Sequence, residues 1–308
     1  NEKKILILKK SIKDIFSKPY SSKILFLKKH LNKKELKKIF NKKFYLQINF
    51  DIPYIFGRLI VGNYDKKNDA LFLTHTFRVH NSRKKNLIKL QKKYVSTGYM
   101  PLLNCDPLKL VARSYPTNAN CNTQYNELTL KNNKLVFAGK RSIKTGGKGA
   151  PIFEKFLNSN EQFKILLFKK DIPDRLNVEF NYYLKNSRHP TDIADGVRTC
   201  HHPLKKSHWG HGIAKNDYQT YIFIVNNSNN LKENNNEKIN IEIFSNSKKI
   251  TKNLLIKKSS HQVLKLNNLK KITKSDYFSW RVLPKKTNLN IYWVSFNKKG
   301  SITGDHSF

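Results

Sequence analysis

From Phe44 onward, apolar and polar residues alternate with a period of two over short runs, the pattern of pleated strands with one wet face. FYLQINF (44–50), FGRLIVGNY (56–64) and ALFLTHTFRV (70–79) are rich in β-branched and aromatic residues and are parted by short polar turns. ELTLK and KLVFAG flank Asn132-Asn133, a two-residue loop in which asparagine tolerates the positive φ that a tight hairpin needs. FKILLFKK (163–170) and LNVEFNYYLK (176–185) predict two further strands, with Pro173 and Asp174 in the turn between them. Residues 218–308 carry seven more strand-like runs: YQTYIFIVN, EKINIEIFS, KKITKNLLI, HQVLKL, YFSWRVL, NLNIYWVSF and SITGDHSF. In the second of these, Ile239, Ile241 and Ile243 alternate with Lys238, Asn240 and Glu242. Short strands at this density, separated by polar turns, predict a two-sheet sandwich.

Residues 1–43 have a different period. Apolar residues fall at Leu8, Ile12, Ile15 and Phe16, then at Leu25, Leu27 and Leu31, then at Leu36, Ile39 and Phe40, with lysine on the remaining faces. That spacing predicts helices. Ser11 with Asp14, and Asn32 with Glu35, have capping-box spacing, and Pro19 separates the first helix from the second. Such a segment suits an anionic membrane or a nucleic acid; the plainer reading, a pair of surface helices packed on the domain behind them, is preferred.

The expected fold is therefore mainly β: two β-sandwich-like modules preceded by a basic helical N-terminal arm. The arm is 1–43, the N-terminal β-rich domain 44–187, a His-rich junction loop 188–217, and the C-terminal sandwich 218–308. The last resembles immunoglobulin-like domains in architecture only, because the Cys–Trp–Cys framework of true immunoglobulins is missing. No apolar run is long enough for a spanning helix. One echo stands out: LFLTHTF (71–77) and ITGDHSF (302–308) both end in His, then Ser or Thr, then Phe.

Composition adds charge to this picture. Among 308 residues there are 60 Lys and Arg against 21 Asp and Glu, a net charge of +39, and lysine dominates the cations. A codon bias toward Lys, Asn and Ile explains part of this, but it does not deplete acids, so the excess is a physical property. It draws polyanions at long range and in a salt-dependent way. With 19 Phe, 14 Tyr and 3 Trp the chain is too aromatic to be disordered.

Candidate chemistry concentrates in RHPTDIADGVRTCHHPLKKSHWGHGIAKND (188–217), which holds five of the ten histidines. Cys200, His202, His208 and His211 are of the right types to hold zinc or copper. No standard ligand spacing is present, however, and no acid lies between Asp195 and Asp217 to serve as a base. Trp209 stands in polar text and is the tryptophan expected at the surface, beside Lys205 and Lys206, whereas Trp280 and Trp293 sit in apolar strands and belong to a core. KRSIKTGGKGAP (140–151) offers Arg141, Lys144 and Lys148 to an anion, although its glycine spacing is not that of a phosphate-binding loop. Cys105 and Cys121 lie in turn-rich text; a bridge between them would contribute about 3 kcal/mol, and free thiols are the equal alternative.

These observations predict a non-enzymatic envelope- or surface-associated protein, extracytoplasmic rather than cytoplasmic, that binds a polyanion: an acidic glycan or an anionic membrane surface. An RNA-binding or ribosome-associated protein of an AT-rich genome is the alternative, since it accounts better for the basic arm. A metal-dependent enzyme built on the histidine segment is the third reading.

Overall fold

The computed structural model of the protein describes residues 26–39, 60–66, 70–75, 98–114, 121–132, 134–145, 154–156, 163–168, 177–185, 187, 190–196, 198–199, 207–215, 217–226, 235–245, 248–267, 276–287 and 289–307. The chain divides into two compact units, Asn1–Gly57 and Arg58–Phe308.

In the first unit, α1 (Leu27–His30) and α2 (Lys33–Ile39) are short helices. Asn32 and Glu35 form the expected capping box at the start of α2: the Glu35 N–H donates to Asn32 Oδ1 at 2.9 Å and the Asn32 N–H to Glu35 Oε2 at 2.8 Å. Lys28, Lys29, Lys33, Lys34, Lys37 and Lys38 are all exposed. The helix expected before Pro19, with Ser11 and Asp14, lies outside the described residues, as does the strand expected at 44–50.

The second unit is β. Its strands are β1 (Ile60–Asp65), β2 (Ala70–His75), β3 (Gly98–Leu103), β4 (Leu108–Ser114), β5 (Cys121–Lys131), β6 (Lys134–Thr145), β7 (Glu154–Phe156), β8 (Phe163–Phe168), β9 (Asn177–Leu184), β10 (Thr191–Gly196), β11 (Arg198–Thr199), β12 (His208–Ile213), β13 (Tyr218–Asn226), β14 (Glu237–Ser245), β15 (Lys248–Ile256), β16 (Ser260–Asn267), β17 (Tyr277–Pro284), β18 (Asn290–Asn297) and β19 (Ile302–His306). All seven strands expected after residue 217 are present, as β13 to β19. The β5–β6 hairpin turns where Asn132 takes a φ of 49°, with Lys131 opposite Lys134.

Four sheets result, in the orders β1-β2-β19-β18-β13-β16, β12-β17-β14-β15, β10-β9-β4-β7 and β11-β3-β8-β5-β6. The first is central. One face of β13 and β18, with Ile222, Ile224 and Ile291, packs on Ile239, Ile241, Ile243, Trp280 and Val282 of the β12-β17-β14-β15 sheet. The other face, with Tyr221, Phe223, Tyr292 and Val294, packs on Leu110, Phe180 and Tyr182 and on Met100, Ile165 and Phe168 of the remaining two sheets. Burial on both sides is why YIFIV (221–225) and IYWV (291–294) are continuous apolar runs rather than alternating ones. Tyr182 joins the layers: its hydroxyl donates to the Leu103 carbonyl at 2.6 Å, lies 3.1 Å from the Tyr292 hydroxyl, and its ring stacks on Phe223 at 5.4 Å.

This layering corrects the expected domain boundaries. β1 and β2 enter the same sheet as β18 and β19 through a parallel contact of Ile302 with Phe72, so the two proposed modules share a sheet and a core. Nor is 188–217 a loop, since β10, β11 and β12 lie within it and pair with β9, β3 and β17. The echoed segments 71–77 and 302–308 turn out to contain those parallel neighbours, β2 and β19.

His261 on the edge strand β16 faces Phe163, with ring centroids 4.7 Å apart, and its Nδ1 is buried with no hydrogen-bond partner among the described residues. Burial holds its pKa below the ordinary 6.5. The unfolded chain therefore binds more protons, so the stability tied to neutral His261 is complete above about pH 6.5 and is lost as pH falls toward the folded value. His261→Phe is expected to flatten the fall in urea midpoint between about pH 7 and pH 5. Equal slopes in wild type and variant would remove this account.

Candidate functional site

β12 reads HWGHGI, and its burial alternates in the opposite sense to hydrophobicity: His208, Gly210 and Gly212 face inward, while Trp209 and His211 face solvent. The neighbouring strand explains the inversion. Gly210 is paired with Trp280 and Gly212 with Phe278, and a Cβ on either glycine would overlap those rings. Glycine is thus required on the inner face, and the aromatic residue is turned outward. Both ends of the strand are pinned. His208 Nδ1 lies 2.8 Å from Ser307 Oγ. At the other end, the Ile213 N–H donates to Ser295 Oγ at 3.3 Å and Thr220 Oγ1 donates to the Ile213 carbonyl at 3.2 Å.

The outward side chains of this four-stranded sheet form two rows. Trp209 stands opposite Arg281, which stands opposite Glu242 and then Thr251; His211 stands opposite Ser279, then Phe244, then Lys249. Glu242 organises the cations. Its Oε2 accepts from Arg281 Nε at 2.8 Å and Nη2 at 2.5 Å, and its Oε1 meets Lys249 Nζ at 2.5 Å. Hydrogen bonds from Lys249 and then Arg281 hold the Glu242 carboxyl below its ordinary pKa. Both cations lie over Phe244, at 5.8 Å for Lys249 and 5.7 Å for Arg281. The acid is buried while Arg281 and Lys249 remain 46% and 52% exposed, and Trp209 and Tyr277 are 46% and 62% exposed. The result is an open platform of aromatic rings and pre-positioned cations.

Of the residues singled out in the sequence, Trp209 belongs to this platform. Arg141 does not: it lies on β6 in another sheet, where its Nε is 3.5 Å from the buried Glu127, itself bonded to the buried Lys164 at 2.7 Å. Lys144 is on the same strand, opposite Asn122. Lys148, Cys200, His202, Lys205 and Lys206 lie outside the described residues. His208 and His211 do not converge as a metal pair. Because β12 is a strand rather than a helical turn or tight loop, they face opposite sides of a sheet. Among the described residues, no three His, Cys, Asp or Glu side chains are grouped to hold an ion. Cys105 is a free, half-buried thiol whose Sγ lies 3.7 Å from the Asp106 carbonyl, so the bridge considered to Cys121 is not made. Its chain position explains this: Cys105 closes the β3–β4 turn, whereas Cys121 opens β5 opposite Thr145. Burial raises the Cys105 thiol pKa above 9.0.

Arg281, Glu242, Phe244, Lys249 and Tyr277 were missed as site residues. Their outward direction was readable from the alternation in β14 and β17, but their meeting depends on the pairing order. No protein-family model matches the chain, and no curated protein is detectably similar to it.

Proposed function

We propose that this is a non-enzymatic protein of an envelope or outer surface that binds polyanionic partners, acidic glycan or anionic lipid headgroup. One observation carries the reading: among the described side chains, most acids are buried or half-buried while most lysines are exposed. Glu127, Glu237 and Glu242 are 4%, 0% and 5% exposed. Among acids whose side chains are described, only Asp106 and Asp217 are exposed, against a long series of exposed lysines that includes Lys109, Lys131, Lys140, Lys238, Lys248, Lys252, Lys257 and Lys258. Glu127, Glu242 and Glu237 are bonded within the fold, and the described surface carries an excess of positive charge. A specific observation favours RNA as the second reading: α1 and α2 expose six lysines on a short helical segment.

The test is binding of the full chain to sulfated polysaccharide, phosphatidylserine vesicles and single-stranded RNA at two salt concentrations. Affinity for the glycan or the vesicles is expected to fall by about tenfold or more between 50 and 200 mM salt. Absence of binding to either at about 150 mM salt would remove the proposal. Tighter binding to RNA than to sulfated glycan of equal charge density, with co-sedimentation on ribosomes, would replace it by the second reading.

A further inference from the structure

The outer face of the β12-β17-β14-β15 sheet supports a narrower assignment, which rests on the polyanion reading above. We propose that this face binds an acidic glycan: Trp209 is the plane on which a sugar ring stacks, and Arg281 and Lys249, held by Glu242, receive its carboxylate or sulfate groups.

Three features of the face point to that occupant. First, the exposure of Trp209 is built into the register. A slip of one residue would turn it inward, but Gly210 and Gly212 must stay beneath Trp280 and Phe278. An aromatic residue held outward on a regular strand is a rigid surface with little entropy to lose on binding. Second, the anion-binding groups are oriented before a ligand arrives. Glu242 engages the Nε and Nη2 side of Arg281, and Nη1 has no partner among the described residues. Trp209 and Arg281 are directly opposed in the ladder, where Cβ atoms are about 5 Å apart, and the indole meets the His211 ring edge-on at 5.7 Å. A sugar ring bearing an acidic substituent matches that opposed pair, an apolar face next to an anion.

Third, the charge on this face is interrupted. Ser279, Thr251, Asn240 and Asn253 stand between or beside the cations, and Glu242 sits at the centre. Neutral hydrogen-bonding groups match hydroxyls spaced between acid groups. An uninterrupted phosphate backbone would instead run over the carboxylate. Four strands about 4.8 Å apart give a row roughly 14 Å long, so an extended oligosaccharide lies across the sheet rather than inserting into it. The exposed apolar side chains of this face, Trp209, Tyr277 and Leu255, lie on three different strands among polar neighbours, which is a smaller apolar surface than a bilayer-entering face presents.

The experiment uses the full chain and four variants, Trp209→Ala, Trp209→Phe, Arg281→Gln with Lys249→Gln, and Lys140→Gln on a different sheet. Each is titrated with a sulfated uronic-acid oligosaccharide, phosphatidylserine vesicles and single-stranded RNA, with circular dichroism to check folding. Trp209→Ala and the paired cation variant are each expected to weaken glycan binding by about tenfold. Trp209→Phe, which keeps a stacking plane, should stay within about threefold, and Lys140→Gln within about twofold. Glycan should also protect Trp209 from acrylamide quenching. If wild type binds no polyanion, the wider reading falls and this assignment with it. If wild type binds glycan and the folded Trp209→Ala and paired cation variants bind it as well as Lys140→Gln does, the face is wrong while the wider reading stands. A loss confined to vesicles or to RNA would make the occupant a lipid surface or a nucleic acid and would equally overturn the assignment.

Discussion

Replacing Glu237 by alanine is expected to destabilise the protein by about 3–5 kcal/mol, read as a fall in urea midpoint with unchanged slope. Glu237 opens β14 and is 0% exposed. Its carboxylate accepts hydrogen bonds from the backbone N–H groups of Lys285, Lys286 and Thr287 and from the Thr287 hydroxyl. The bend at 285–287 follows β17 and has no ladder to satisfy those donors, so one side chain from a neighbouring strand does so. Each bond to a charged acceptor contributes about 1.5–3 kcal/mol, and a buried donor left without an acceptor costs about 1–3 more. The contributions do not add fully, hence the range. Glu237→Gln keeps an acceptor but brings an amide N–H against other donors, and it should lose about half as much. A loss below about 1 kcal/mol for Glu237→Ala would show that water replaces the carboxylate without difficulty, and that the bend is not organised by it.

The second large effect is expected at Trp280. Trp280→Ala should cost about 3–5 kcal/mol, because a fully buried indole leaves a cavity that sheet packing cannot close. Trp280 is 1% exposed, and its Nε1 donates to the His211 carbonyl at 3.1 Å, so the side chain also ties β17 to β12. Gly210→Ala should cost about 1–3 kcal/mol by overpacking against the same ring. The two are coupled in a way that tests the geometry. The indole atom closest to a Gly210 Cβ is Cζ2, which has no counterpart in the smaller phenylalanine ring. Gly210→Ala should therefore be less costly in a Trp280→Phe background than in wild type, by about 1 kcal/mol in a double-mutant cycle. Strict additivity would mean that the glycine is not there to admit the ring.

What was legible in the sequence, and what was not, follows from the range of the interactions involved. β13 to β19 could be read because each carries enough local alternation or apolar density to declare itself. The Asn132 turn and the Asn32–Glu35 capping box depend on neighbours at most four residues apart. β12 was unreadable as a strand because its inward positions are His and Gly, and its outward ones include Trp; only the partner rings on β17 make sense of that. β3 was hidden in part by Pro101, which sits beyond the two residues that β11 pairs with, so its missing N–H costs no ladder bond on that side. The division at 188–217 failed for a related reason. Pairing of β2 with β19, and packing of Phe180 on Tyr292 at 5.6 Å, join residues more than a hundred positions apart and leave no local trace. One warning was nonetheless present: YIFIV and IYWV have no wet face, which a free-standing two-sheet sandwich would require.

That doubly covered sheet sets the order in which the molecule can be completed. Synthesis delivers Met100, Leu110, Phe180 and Tyr182 well before Phe223, Tyr292 and Val294, which close over them. The filling is made after the crust. At ordinary elongation rates the interval is on the order of ten seconds, during which the nascent half carries a greasy, unroofed surface. Shortening the chain before residue 290 would remove Tyr292, Val294, Phe296 and Ile302 and leave β13 to cover that surface alone.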